Sequence, residues 1–383
     1  MDRERTKIGV VFSYNPAWIA GTYYVQNLVH ALGRLDDNHR PVVVVACKND
    51  QDFNYLAAET GYPYLKKRIF SDLTIFQRGI NFVWRHVTGR HICFNKIDTS
   101  DLIALFPVSH ALMLPLRDKK VVYWVPDFQE DYLPELFSPG ELKARKSGQR
   151  LIARFARRLV LSSQDAHADF ERLYPYAQCR SFVMPFAVTL PDYGSIDFSI
   201  VAQKFGIGAE KKYFFCANQF WAHKNHITVL KALKTLKDQG EKILVLFSGN
   251  TSDYRNATYY KSLTDYIEKN DLVDCVRFLG FIDRTDQLQL MKHSVAIVQP
   301  SMFEGWSTVV EDAKALGKFV ILSSLGVHRE QMSRNAAFFK AEDSTHLAAL
   351  LAKYSAQAPS VEPYDYNADI VRFGLKFMEI AAQ

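Results

Sequence analysis

Short apolar, β-branched runs alternate with amphipathic stretches along most of the chain. In the first half, residues 8–12, 42–46, 102–106, 121–125, 159–162 and 182–184 read as strands. Val25, Leu28, Val29 and Leu32 have helical spacing directly after the first of them, giving the strand–loop–helix opening of a doubly wound domain. Near Pro185 the pattern gives way to FAVTLPDYGSIDF, which has turn residues and no period. A second series then starts, with strands predicted at 213–217, 243–247, 276–279, 295–298 and 319–322. Ile227, Leu230 and Leu233 share one helical face, and 259–267 is also helical. Two α/β series joined by one aperiodic link predict two Rossmann-like sheets facing across a cleft. The expected domains are residues 1–188 and 189–363, followed by a terminal helix at 364–383.

Residues 303–320, FEGWSTVVEDAKALGKFV, are the most informative segment. They follow the apolar run 295–299, and Pro300–Ser301 breaks that strand. A helix is predicted from Thr308, with Thr308 and Glu311 spaced as a capping box and Gly317 closing it. Glu304 then lies in a loop at the carboxyl end of a parallel strand, where open α/β sheets place ligands. Asp312 lies one turn into the helix, on the side facing that loop. The backbone N–H groups from Gly305 through Trp306, Ser307 and Thr308 to Val309 are donors at a helix start, suited to an anion. Two acids eight residues apart reach two parts of one ligand, the loop acid a polyol and the helix acid a more distant diol.

This pattern, followed by GKFVILSS, resembles the E-x7-E region of family 4 of the retaining glycosyltransferases, which have two Rossmann-like domains in the GT-B architecture. The resemblance implies that Glu304 contacts the transferred sugar and that Asp312, standing where Glu is usual, holds the ribose of the nucleotide. The second half opens with YFFCANQFWAHKNHITVLKAL, a strand, a loop and Lys224 at the mouth of a helix. An ammonium there neutralises charge that grows on a diphosphate as the sugar–phosphate bond breaks, although a solvated surface lysine is the plain alternative. The family usually has Gly-Arg-Leu before this lysine. Asn218, Gln219 and Phe220 stand there instead, so one phosphate-touching cation is missing. Ala20–Gly21–Thr22 links the first strand to the first helix, and Gly21 would let backbone approach a phosphate. The dinucleotide fingerprint GxGxxG is absent, which counts against an oxidoreductase or epimerase.

Two further segments look acceptor-facing. His110 stands just beyond the strand ending at 106, and Asp127 and Gln129 just after the strand 121–125. A core histidine and a turn aspartate are the plain alternatives. PDFQ followed by YLPE resembles a subset of family 4 that builds bacterial surface polysaccharides, with Glu130 where that subset often has His. The expected catalytic set is therefore Glu304, Lys224, Asp127 and His110. The expected donor set is Gly21, Asn218, Gln219, Lys224, Gly305, Trp306, Ser307, Thr308 and Asp312, and Asp127 with Gln129 would meet the acceptor.

Composition narrows the setting. The 383 residues, 48% of them hydrophobic, are enough for two cores. MDRERTKIGVVFSY passes from charge directly into a strand, with no secretory h-region, and no stretch is long enough to span a bilayer. Five separated cysteines and no CxxC argue against a disulfide framework or a zinc site, so reduced thiols in a cytoplasmic protein are expected. No Asp-x-Asp pair stands beside Lys224 or Glu304 to suggest a catalytic metal, and metal-independent chemistry is expected. The net charge of +6 is concentrated in ELKARKSGQRLIARFARR, where Lys143, Arg145, Lys146, Arg150, Arg154, Arg157 and Arg158 oppose one acid. That stretch is a solvated helix face or a patch drawn to the inner membrane surface and a polyprenyl-diphosphate-linked acceptor. No aromatic platform accompanies it, so nucleic acid is not expected. The function expected is retaining transfer from a nucleotide diphosphate sugar to a hydroxyl of a glycan or lipid-linked acceptor. The alternative is a non-catalytic protein of polysaccharide assembly that keeps the fold.

Overall fold

Among the described residues, the apolar runs assemble into two all-parallel sheets. The structure, a computed structural model, describes residues 4–15, 19–88, 92–208 and 212–383. The first sheet contains β1 (Lys7–Val11), β2 (Val42–Cys47), β3 (Leu65–Ile69), β4 (Leu105–Val108), β5 (Val121–Val125), β6 (Arg158–Leu161) and β7 (Arg180–Val183), in the order β3-β2-β1-β4-β5-β6-β7. The second contains β8 (Phe214–Ala217), β9 (Val245–Ser248), β10 (Val276–Phe278), β11 (Ile297–Gln299), β12 (Val320–Ser323) and β13 (Ala336–Phe339), in the order β10-β9-β8-β11-β12-β13. Both orders reverse direction once, between β1 and β4 and between β8 and β11. A doubly wound sheet opens a ligand crevice at such a point, beyond the carboxyl ends of its strands.

Two strands escaped the sequence pattern, and both lie at sheet edges. β3 reads LKKRI and leaves every residue at least partly exposed, so it has no apolar signature. β13, AAFF, ends the second sheet and is only partly buried until Phe339. The run expected at 102–106 pairs as a strand only from Leu105, where it joins β1 and β5.

The chain divides into two compact units. One comprises Met1–Phe128, Ser138–Thr189 and Asn367–Gln383, and the other Gln129–Phe137 and Leu190–Tyr366. The terminal helix Asn367–Ala382 therefore belongs to the first unit. It packs on the helix Ile19–Gly33 at Gly374, where a Cβ would come within 2.8 Å of the Ala31 carbonyl oxygen. Arg158 fastens its end, donating from Nη1 to the carbonyls of Ile380 (2.9 Å) and Ala381 (3.2 Å).

That contact corrects part of the basic stretch. Arg158 is a buried residue of β6 and does not belong to the charged face. The helix Pro139–Phe155 begins with a capping box between Ser138 and Glu141 and buries Ile152 and Ala153. Lys143, Arg150 and Arg154 are exposed on it, and Arg157 is exposed just beyond its end. No described helix is long and apolar enough to cross a membrane. All five cysteines are free thiols.

Candidate functional site

Lys224 and Glu304 reach one another because β8 and β11 are neighbours at the reversal of the second sheet. The loop after β8 turns through Ala222–Lys224 into Asn225, which adopts left-handed backbone with φ 59°. Asn225 donates from Nδ2 to the carbonyls of Pro300 (3.0 Å) and Ala341 (2.8 Å), and the Met302 N–H donates to His223 O (2.8 Å). The two loops are thereby tied side by side. Lys224 Nζ then donates to Glu304 Oε1 at 2.6 Å, the two side chains being 15% and 8% exposed.

The same oxygen accepts from Ser301 Oγ (2.6 Å) and from Gln299 Nε2 (2.7 Å). Gln299 is oriented in turn by Asn218, whose Nδ2 donates to its Oε1 at 2.8 Å. All three donors land on Oε1, leaving Oε2 with no protein donor among the described residues. Burial alone would raise the Glu304 carboxyl, but Lys224, with His328 and His223 nearby, outweighs it and holds the group at about 2. Burial and Lys224 together press His223 down to about 3, so its ring is neutral at pH 7 and Lys224 is the effective cation. Gly249 makes the arrangement possible from below. A Cβ there would stand 2.1 Å from Asn218 O, and the close approach lets Gln219 Oε1 accept from the Asn250 N–H at 3.2 Å.

The helix Thr308–Ala315 starts differently from the expected capping box. Its N-cap is Ser307, whose Oγ accepts from the Val310 N–H. The Ser307 N–H, expected to be open to an anion, donates to Gln331 Oε1 (3.1 Å), and Gln331 Nε2 returns a bond to Ser307 O (2.7 Å). Glu311 is thus not a capping acid. It is buried and accepts from Tyr366 Oη (2.5 Å), Gln331 Nε2 (2.9 Å) and Lys314 Nζ (3.1 Å). Burial raises its pKa against the pull of Lys314 and these hydrogen bonds. Asp312, fully buried, accepts a two-pronged bond from Arg284, from Nη1 at 2.6 Å and also from Nη2. Gly305, Trp306 and Thr308 are half-buried along the same turn.

The first unit contains Gly21, His110 and Asp127. Gly21 is not in a loop but lies buried in the first turn of the helix Ile19–Gly33. His110 is exposed, which removes the core-histidine alternative, and its ring lies against Gly148, where a Cβ would be 2.3 Å away. Asp127 is half-buried two residues past β5. Gln129 belongs to the second unit, where its Oε1 accepts from Arg255 Nη1 at 3.3 Å.

Sequence reasoning missed Gln299, Ser301, His223, Gln331, Tyr366, Arg284 and Arg255. Gln299 and Ser301 did carry a signal, being polar residues at the end of an apolar run and just ahead of Glu304. His223 adjoins Lys224 without a signal of its own, and Gln331, Tyr366, Arg284 and Arg255 come from other parts of the chain and carry none.

Residues 197–370 match the family of glycosyl transferases group 1. The O-antigen chain mannosyltransferase RfbU of Salmonella typhimurium is 28% identical over 151 residues, 39% of this chain and 40% of that protein. The chain therefore aligns with less than half the length of this curated relative. Among solved structures, HepE of Anabaena in complex with UDP and glucose superposes with a TM-score of 0.66 at 18% identity, covering 98% of each chain. WaaG, a glycosyltransferase involved in lipopolysaccharide biosynthesis, superposes with a TM-score of 0.56 at 15% identity, covering 96% of this chain and 94% of its own. The chain has the GT-B fold, and its residues 197–370 are similar to the glycosyl transferases group 1.

Proposed function

We propose that this chain is a retaining family 4 glycosyltransferase that moves a sugar from a nucleotide diphosphate donor to a hydroxyl of a glycan or lipid-linked acceptor, in assembly of a bacterial surface polysaccharide. The observation that carries the reading is the nearly buried Lys224–Glu304 pair at the reversal point of the second sheet. The similarity of residues 197–370 to glycosyl transferases group 1, the O-antigen role of RfbU and the UDP and glucose bound by HepE support it.

In this reading, Lys224 turns its ammonium toward the diphosphate, where negative charge increases as the sugar–phosphate bond breaks. Glu304 stays ionised throughout the physiological range, and Oε2 accepts hydrogen bonds from sugar hydroxyls while Oε1 remains anchored. Asp312 holds the ribose. Asn218, Gln219 and the turn from Gly305 through Ser307 to Thr308 complete the donor set of this unit, and Asp127, Gln129 and His110 are assigned to the acceptor. The positive charge at the diphosphate comes from protein groups, without a divalent ion. The exposed cations Lys143, Arg150, Arg154 and Arg157 draw the protein to anionic lipid at the inner membrane face, where a polyprenyl-diphosphate acceptor resides.

The test is a mass-spectrometric screen of UDP-, GDP- and dTDP-sugars against a lipid-linked oligosaccharide pool, with product anomers assigned by NMR. Transfer with retained configuration, lost in Glu304→Gln, is the expected result. Absence of both transfer and donor hydrolysis across the panel, in folded protein, would leave a non-catalytic member of the assembly machinery instead.

A further inference from the structure

Arg255 follows β9 and is almost closed off from water, its side chain 6% exposed. Its guanidinium is braced by aromatic faces, with Cζ 4.8 Å from the Trp221 ring centroid and 5.5 Å from that of Phe137. Its polar contacts are all long. Nη1 donates to Gln129 Oε1 at 3.3 Å, Nη2 meets His223 Nδ1 at 3.4 Å, and Nε lies 3.5 Å from Asp253 Oδ1. Nε makes no hydrogen bond among the described residues. Guanidinium–carboxylate bonds, where formed, run at about 2.7–2.9 Å.

Asp253 is an ion-pair neighbour at 3.5 Å from Nε but receives no hydrogen bond from it, and its oxygens also accept from backbone donors. Its Oδ2 accepts from the Ala222 N–H (3.2 Å) and its Oδ1 from the Arg255 N–H (3.0 Å). The fork of Nη1 and Nη2 therefore meets only a neutral amide and a neutral imidazole, with the Asp253 carboxylate off to the side at Nε. Removing a guanidinium from water is costly unless an anion receives its fork, and a planar fork fits phosphate oxygens two at a time. The position fits as well. His223, which Arg255 touches, is the residue before Lys224, and the Asp253–Ala222 bond ties the Arg255 segment to the Lys224 turn.

We propose that Arg255 is a second phosphate-binding cation of this unit, acting with Lys224 on the donor diphosphate and replacing the cation that Asn218–Gln219–Phe220 lacks. The inference rests on the nucleotide-sugar reading above. The charge is supplied from the loop after β9, not from the loop after β8.

Calorimetric titration of the full chain with UDP and with GDP selects the tighter diphosphate, and its unphosphorylated nucleoside is titrated by NMR. R255Q should weaken the diphosphate about tenfold or more and leave the nucleoside within about twofold, because only charge-assisted bonds to phosphate are removed. R255K should recover part of the loss, and R255Q should flatten the dependence of diphosphate affinity on salt. Equal weakening of diphosphate and nucleoside would make Arg255 a brace for the segment Gln129–Phe137 and overturn the proposal, as would unchanged binding of both. Should R255Q fail to fold, R255K decides alone: a diphosphate-only loss supports the proposal and wild-type affinity overturns it. Lys224→Ala separates the two levels. If it weakens the diphosphate while R255Q does not, only this inference fails. If wild-type protein binds none of UDP, GDP and dTDP, the nucleotide-sugar reading itself fails.

Discussion

Glu304 and Glu311 stand seven residues apart in one loop–helix segment, both largely shut away from water, and their carboxyls are pushed in opposite directions. The loop acid has a lysine ammonium at 2.6 Å together with a hydroxyl and an amide on the same oxygen, and these override burial. The helix acid has a phenol, an amide and a more distant lysine, and burial prevails. Among the described residues, one oxygen of Glu304 has no protein donor, whereas both oxygens of Glu311 are engaged. Under the proposed reading, the second oxygen of the loop acid meets the sugar, whereas the helix acid is bonded to Tyr366 and Gln331. Burial alone does not set the two acids apart; the direct cation and the engagement of each oxygen do.

The strongest attack on that contrast removes the lysine. Lys224→Ala leaves the Glu304 carboxylate buried without its cation, which should destabilise the protein by about 3 kcal/mol in urea at pH 7 and depress both nucleotide binding and turnover. The sign with pH follows from the lowered pKa. Glu304 contributes stability above its ordinary value of 4.5, and that contribution is lost as pH falls toward about 2. The parent should therefore lose stability across this window and Lys224→Ala should lose less. Equal stability and equal acid profiles would show that the pair contributes nothing.

Glu304→Gln comes next. It should lower turnover by at least about tenfold, through loss of a charged hydrogen bond worth roughly 1.5–3 kcal/mol, with nucleoside diphosphate affinity nearly unchanged. Full turnover in a folded variant would remove Glu304 from the chemistry.

The helix acids sharpen the comparison. Asp312→Ala should weaken nucleoside diphosphate binding by about tenfold if it holds the ribose. Glu311→Gln should leave that affinity intact. Because the folded Glu311 carboxyl titrates above its ordinary value, its stabilising effect is present at low pH and lost as pH rises through the folded pKa. Glu311→Gln should then be relatively more stable at pH 8 than at pH 4, measured against the parent. If Glu311→Ala abolishes nucleotide binding while Asp312→Ala does not, the two roles are exchanged.

Two smaller effects test the surroundings. Activity should persist in excess chelator, and loss restored by manganese or magnesium would place a metal at the diphosphate. Reversing Arg150, Arg154 and Arg157 to Glu should reduce flotation on anionic vesicles, each cation contributing about 1 kcal/mol before screening, while a short soluble acceptor is still used. Equal flotation of variant and parent would leave a solvated helix face. Arg158→Ala should instead act on stability, since that guanidinium fastens the terminal helix.

The sequence alone determined a good deal. The buried central strands announce themselves as apolar runs because both faces of a parallel sheet are covered. Edge strands such as β3 have no such constraint, and LKKRI was silent. Glu304 was legible because its loop follows a strand break, and Lys224 because it ends the turn after β8. What the linear order could not show was which partners reach each charge. Ser307, not Thr308, caps the helix because Gln331, 24 residues on, fixes it there. Glu311 left the surface because Tyr366, 55 residues away, donates to it, and Asp312 was claimed by Arg284 from another helix. Local patterns record the period of burial, which neighbours in sequence share. Charge pairing depends on side chains that only the folded sheet order brings within hydrogen-bond distance.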